Sequence, residues 1–239
     1  MYTHLLSYIN LWFRCVQDLG ALSCRSHSEE YSKLEPMVDN QVIDIINGLG
    51  LEGLLRTPGR EIDHGLITAL MERWQLKTHT FYMPHGEVTI TLQDMEVLLR
   101  LPVDGEAITR STQKVWWDVC QDFLGFVPIN DETKQLTSQR IVIKRLLEQV
   151  AGPLPPNTEE DQLHKYARCY ILALLGDTIF MDKFVDRVHL MWVQQLEDLC
   201  NPRRYSWGSS CLAWLYKELY RASDKAASQI SGCLMLVQY

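Results

Sequence analysis

The chain has 239 residues and a mass of 27.7 kDa, enough for one large domain with a substantial buried core. Apolar residues make up 46% and charged residues 22%, which excludes a disordered acidic tail, a collagen-like repeat and a low-complexity linker. With 23 basic against 30 acidic residues the formal charge is -7, opposite to what direct binding to nucleic acid through phosphates requires.

Residues 1–35 read as a divergent N-terminal segment, either an appended helix or a stretch without a fixed fold. Leu5 to Val16 is apolar, but no Lys or Arg precedes it and Asn10 and Arg14 interrupt it, so no signal peptide is expected. From residue 36 to 239 the pattern is that of one mostly α domain, with about eight helices and one small β-hairpin. Asp39 to Leu49 places Val42, Ile43, Ile45, Ile46 and Leu49 at helical spacing, and Gly48 and Gly50 stop it. Asp63 can cap a helix lined by Leu66, Ile67, Leu70, Met71 and Trp74. The rhythm then changes to the β-branched and aromatic runs Thr78–Met83 and Val88–Thr91. Pro84-His85-Gly86 between them predicts a hairpin turn.

Thr91 and Asp94 have capping-box spacing, and the helix they open should bury Leu92, Met95, Leu98 and Leu99 before Pro102 ends it. Further helices are expected over Thr112–Leu124 and Ser138–Val150. Gly152 to Pro156 is a rigid connector, after which Thr158 and Asp161 repeat the capping-box spacing ahead of a strongly apolar helix through Leu175. The spans Val188–Leu199 and Trp207–Ala222 complete the set, the last lined by Cys211, Trp214, Leu215 and Leu219. No apolar run approaches the roughly 18 residues that cross a bilayer.

Seven cysteines at positions 15, 24, 120, 169, 200, 211 and 233 form no C-x-x-C pair. They suit a reduced intracellular protein in which thiols serve as small core residues, and they argue against structural zinc. No Gly-rich phosphate loop and no G-x-S-x-G elbow occurs. The carboxylates Glu159, Glu160 and Asp161 suit a helix N-terminus rather than acid–base work. His85 and His189, the latter on an expected helix, read as surface or packing histidines. Gly176-Asp177 with Phe184-Val185-Asp186-Arg187 faintly resembles the Asp-rich signatures of metal-dependent serine/threonine phosphatases. Lys183 and Phe184 stand where those enzymes need Gly-Asp, and no Asn-His-Glu segment is present. The expectation is therefore a non-enzymatic chain with no metal and no cofactor.

Three groups of segments carry a more specific signal. The first combines Gly50-Leu51-Glu52-Gly53-Leu54-Leu55, Ile67 to Trp74 and Thr80 to Asp94. The second is Leu98-Leu99-Arg100-Leu101-Pro102-Val103-Asp104-Gly105. The third joins Tyr170 to Asp182, Tyr205 to Tyr216 and Gly232 to Gln238. In this order they resemble the plant mobile domain, a family that includes MAINTENANCE OF MERISTEMS-like proteins and long-form homologues of a plant serine/threonine phosphatase. Residues 36–239 are expected to form this domain, incomplete at its C-terminus because the family pattern continues into a Trp-containing second half. The resemblance implies a nuclear protein-interaction domain related to sequences in transposable elements, with roles in meristem maintenance, genome stability and transposon silencing. The "aminotransferase-like" label of the family implies no chemistry here, since no Schiff-base lysine or phosphate cup is visible. Protein partners are expected, among them a serine/threonine phosphatase-like protein; direct nucleic-acid binding and membrane association are not, and the sequence leaves the oligomeric state open. The candidate interaction surface comprises Pro84, His85, Gly86 and Glu87 in the hairpin turn and Tyr205, Ser206, Trp207 and Gly208 before the last long helix. The alternatives are a transposon-derived remnant with a nucleic-acid-associated role and a phosphatase-associated subunit without its own active site.

Overall fold

A computed structural model describes residues 22–24, 39–57, 62–109, 114–128, 135–182, 186–224 and 227–239. Most of the N-terminal segment, and with it the signal-peptide question, lies outside these residues.

Strand β1 (Ser23–Cys24) comes first, then helix α1 (Asn40–Gly48), capped by Asp39, whose carboxylate accepts from Gln41 N–H at 2.9 Å. Gly50 leaves α1 at φ +70°, a left-handed conformation that glycine adopts without a Cβ penalty. A 3-10 turn over Glu52–Arg56 leads to α2 (His64–Met71), capped by Asp63 as its sequence predicts. Strands β2 (Trp74–Gln75), β3 (Thr80–Met83) and β4 (Gly86–Val88) form an antiparallel sheet. Helix α3 (Leu92–Leu99) opens with the expected capping box: Thr91 N–H donates to Asp94 Oδ2 at 2.7 Å, and Asp94 N–H returns to Thr91 Oγ1.

Helix α4 (Trp116–Val119) runs into a π-helical turn, Cys120–Leu124, closed by Gly125 at φ +77°. Next come β5 (Leu136–Thr137), β6 (Arg140–Val142) and α5 (Ile143–Gln149). The 19-residue α6 (Glu160–Thr178) follows, then β7 (Arg187–His189), a 3-10 helix over Leu190–Leu196, α7 (Trp207–Ala222), β8 (Gln229–Ile230) and α8 (Met235–Gln238).

The mostly α class holds, but the single hairpin does not: the described residues contain three small sheets. One is the 74–88 sheet. A second joins β5, β6 and β7 in antiparallel order, and a third pairs β1 with β8 in parallel. Two expected helix starts therefore differ: Ser138 lies in the turn between β5 and β6, and Val188 lies in β7. The reason at Ser138 is the turn itself, where Ser138 and Gln139 both take positive φ (46° and 70°). Neither is the glycine or asparagine that announces such a hairpin turn. The second expected capping box is also absent. Thr158 Oγ1 donates to Pro155 O at 2.6 Å, Asp161 pairs with Lys165, and Glu159 occupies the cap position without a side-chain bond.

Helix α6 is the axis. From Ala167 to Thr178 every residue is buried, so this half of the helix is enclosed on all sides, as an internal helix should be. Gly176 is required there: a Cβ would lie 2.5 Å from Val188 Cβ on β7. Cys24, Cys120, Cys169, Cys211 and Cys233 are buried, matching their expected use as small core residues. Burial pushes the Cys120 and Cys169 thiols up to about 12.

His189 is a packing histidine, as its sequence suggests, though it ends a strand rather than riding a helix. Its Nδ1 accepts from Met191 N–H at 3.0 Å and its ring meets Trp116 edge-on at 6.0 Å. Burial, with Arg140 and Lys217 nearby, lowers its pKa to about 4, against an opposing pull from Asp182. The folded protein keeps this ring neutral, whereas the unfolded chain protonates it below the ordinary value of about 6.5. Its contribution is therefore fully present above about pH 6.5 and is lost as the pH falls toward about 4. Asn at this position keeps an acceptor for Met191 N–H and cannot titrate. Urea unfolding across that window should show a shallower loss of stability on acidification for His189→Asn than for the parent; equal slopes would contradict the assignment.

Candidate functional site: the hairpin face and the buried clasp

The two segments singled out in the sequence have opposite fates. Pro84, His85, Gly86 and Glu87 form the exposed tip of the β3–β4 hairpin. Gly86 has φ +131° with nothing within 4 Å of where a Cβ would stand. Its backbone conformation, not crowding, calls for glycine. Beneath the tip the register pairs Tyr82 with Glu87 and Phe81 with Val88. Phe81 turns inward against Trp74, ring centroids 4.8 Å apart, while Tyr82 stays 61% exposed. Residues 74–78, Tyr82 and Glu87 line an open depression of about 710 Å³. Glu87 borders it while accepting from Thr80 Oγ1 at 2.9 Å.

Tyr216 of α7 fixes this sheet to the core. Its hydroxyl donates to Ile90 O at 2.6 Å and lies 2.9 Å from Thr89 Oγ1, and its ring stacks on His79 at 5.5 Å. Thr89 in turn donates to His79 O. The tip is exposed but its base is held on both strands.

Tyr205, Ser206, Trp207 and Gly208 are buried, Trp207 completely, so their side chains offer no contact surface. They form half of a clasp with residues 102–106. Glu106 N–H donates to Arg204 O, Ser206 N–H to Glu106 O, and Gly208 N–H to Pro102 O, at 2.8–3.0 Å. Ser206 Oγ adds a bond to Val103 O at 2.7 Å, and Arg204 pairs with Asp104 outside. Trp207 then enters an aromatic cluster. Phe180 stacks on Trp192 with centroids 3.7 Å apart, Trp214 meets both rings edge-on, and Tyr205 meets Trp207. Recognisable motif residues here build the interior.

The sequence missed the exposed apolar side chains of the helix that follows the hairpin. Helix α3 buries Met95 and Leu99 but leaves Leu92, Val97 and Leu98 at 40%, 67% and 48% exposure. The expected apolar stripe of Leu92, Met95, Leu98 and Leu99 is thus only half used. Tyr82 and Val88 of the hairpin are also exposed, so apolar side chains reach solvent at five positions between residues 82 and 98. Apolar positions wider than one buried stripe were the available signal.

Among the phosphatase-like acids, Asp177 is buried within α6; the nearby Asp182, outside that signature, accepts from Arg140 Nε at 2.7 Å. The Asp186 side chain is 61% exposed beside Arg187. Metal-ligand side chains do meet elsewhere among the described residues: Glu160, His164 and Cys200 hold their donor atoms within 4.8 Å of one another.

Comparison with known proteins gives residues 50–239 as a match to the plant mobile domain. The chain is 40% identical over 205 residues to the Arabidopsis thaliana serine/threonine-protein phosphatase 7 long form homolog, covering 86% of this chain and 15% of that protein. It is 34% identical to Protein MAIN-LIKE 2 and 30% identical to Protein MAINTENANCE OF MERISTEMS, both from Arabidopsis thaliana. Those matches cover 93% of this chain but 32% and 45% of the relatives. The chain thus spans less than half the length of these curated relatives. No solved structure matches.

The geometry separates a structural from a surface role. Trp207→Ala removes a fully enclosed indole and should cost about 3–5 kcal/mol in denaturant unfolding. His85→Ala at the exposed tip should stay within about 0.5 kcal/mol of the parent. Equal losses would show that the tip belongs to the fold.

Proposed function

Because the chain belongs to the plant mobile domain family, we propose that it acts as a non-enzymatic protein-interaction domain in the nucleus, engaging its partner through the hairpin tip and the exposed apolar side chains of α3. The observation that carries this reading is the apolar exposure at Tyr82, Val88, Leu92, Val97 and Leu98, in the same stretch of chain as the exposed Pro84–Glu87 turn. Rings and branched side chains on a firmly anchored base are contact chemistry: they contribute by leaving water, and a rigid platform loses little entropy on binding. Meristem maintenance, genome stability and transposon silencing are the processes we propose for it. The first of these is supported by the name of the relative Protein MAINTENANCE OF MERISTEMS.

A phosphatase-type protein is the first partner to seek, on the strength of the phosphatase 7 long form homolog among the relatives. In that case the chain is a phosphatase-associated subunit, with catalysis supplied by the partner. A nucleic-acid-associated role for a transposon-derived chain is the weaker alternative, since a formal charge of -7 repels phosphates.

The test is affinity purification of the tagged chain from plant nuclei with mass spectrometry, alongside a Tyr82→Ala/Val97→Asp double variant and an exposed control, Tyr220→Ala. We expect a phosphatase-type or chromatin protein with the parent and the control. Recovery with the double variant should fall about tenfold or more, as for loss of an interface hot spot. A chain that is excluded from nuclei, or equal recovery with the double variant, would refute the proposal.

A further inference from the structure

Glu160 and His164 stand four residues apart on α6, so one helical turn brings their side chains to the same face. Cys200 reaches the same point from the segment after the 190–196 3-10 helix. Its Sγ lies 3.1 Å from Glu160 Oε1, and the carboxylate oxygen, the imidazole nitrogen and the sulfur all fall within 4.8 Å of one another. Glu160 and Cys200 are exposed and His164 is half-buried, so the cluster opens to solvent on one side.

The third donor is held in place rather than left on a free loop. One turn along α6 from His164, the buried Arg168 side chain donates from Nε to Leu196 O at 2.7 Å and from Nη2 to Glu197 O at 2.8 Å. Asp198 Oδ1 accepts from Asn201 N–H at 2.9 Å, closing a turn around Cys200. Glu197 is further tied by Lys114 at 3.0 Å. The helix that presents two donors therefore also grips the backbone that presents the third.

We propose that Glu160, His164 and Cys200 form a divalent-metal site of zinc-binding chemistry, with water in a solvent-facing fourth position. Thiolate, imidazole and carboxylate are the donors zinc takes, and three protein ligands with one open position is an established coordination pattern for it. Glutamate as acceptor for the Cys200 S–H places a proton between two prospective ligand atoms. The Cys200 thiol is raised chiefly by that hydrogen bond, with further contributions from burial and Asp198 and an opposing one from Arg168. Metal entry breaks the S–H bond, forms a metal–sulfur bond and passes the proton to solvent; no electron is transferred. Neighbouring charges are of both signs: Asp161 and Asp198 favour the cation, whereas Lys165, bonded to Asp161, and Arg168 oppose it. The site needs no C-x-x-C spacing, because two ligands come from helical periodicity and the third from 36 residues further along the chain than His164. Loading it would cross-link the start of α6 to the 197–201 segment.

Titration of the full chain with cobalt(II), under reducing conditions, tests the site. One equivalent should give tetrahedral d–d absorption with a thiolate-to-cobalt charge-transfer band, and zinc(II) should bleach both. Cys200→Ser should abolish the charge-transfer band. His164→Asn and Glu160→Gln should each weaken binding by at least about tenfold, since loss of a group that merely orients a ligand already costs that much. Zinc should raise the thermal midpoint of the parent and leave that of Cys200→Ser unchanged. Each variant's metal-free unfolding should match the parent, which separates ligand loss from misfolding. Absence of the charge-transfer band in the parent, or its survival in Cys200→Ser, would overturn the assignment.

Discussion

The backbone clasp between residues 102–106 and 204–208 is the constraint on which the rest of the fold depends. It fixes where α7 begins, and α7 carries Trp207 and Trp214 into the aromatic cluster and Tyr216 to the hairpin. Two glycines make the close approach possible. A Cβ on Gly105 would stand 2.5 Å from Arg204 O, and one on Gly208 would stand 2.9 Å from Val103 Cγ1. Paired backbone groups are worth little net when formed but cost heavily when buried unpaired. The clasp therefore acts less as a source of stability than as a register that permits one alignment.

The parts of this arrangement legible in the sequence were those with local causes. Asp39, Asp63 and the Thr91–Asp94 box set helix starts from side chains a few residues away, and the Pro84–Gly86 turn marked a hairpin. What escaped had distant causes. The Ser138–Gln139 turn joins β5 to β6, and the distant part is what it docks on: β6 pairs with Arg187–His189, some fifty residues on, and Leu190 N–H donates to Gln139 O at 2.9 Å. Thr158 and Asp161 matched a capping pattern but found other partners, Pro155 O and Lys165. Tyr205 to Gly208 looked like a loop worth probing because Ser and Gly suit loops; only the partner segment at 102–106 shows them to be interior. The three donors at Glu160, His164 and Cys200 were each visible, but their meeting depends on Arg168 holding the chain near Glu197.

The candidate contact surface and the core share one mechanical frame. Tyr216 is a residue of α7, the helix whose first residue is the enclosed Trp207. A partner gripping the hairpin would thus press on the same helix that seats the aromatic cluster, and contact at the tip would be transmitted to packing rather than absorbed by a loose loop.

The two ends of the described chain converge. Strand β1 at residues 23–24 runs parallel to β8 at 229–230, and Leu22 N–H donates to Thr68 Oγ1 of α2 at 3.0 Å. At the other end, Gln238 Oε1 accepts from Asp63 N–H, the cap of the same helix. Residues 22–24 and 229–238 therefore meet on α2. Each segment lends the other its pairing partner, so opening one strips the other of its support and the two should loosen together.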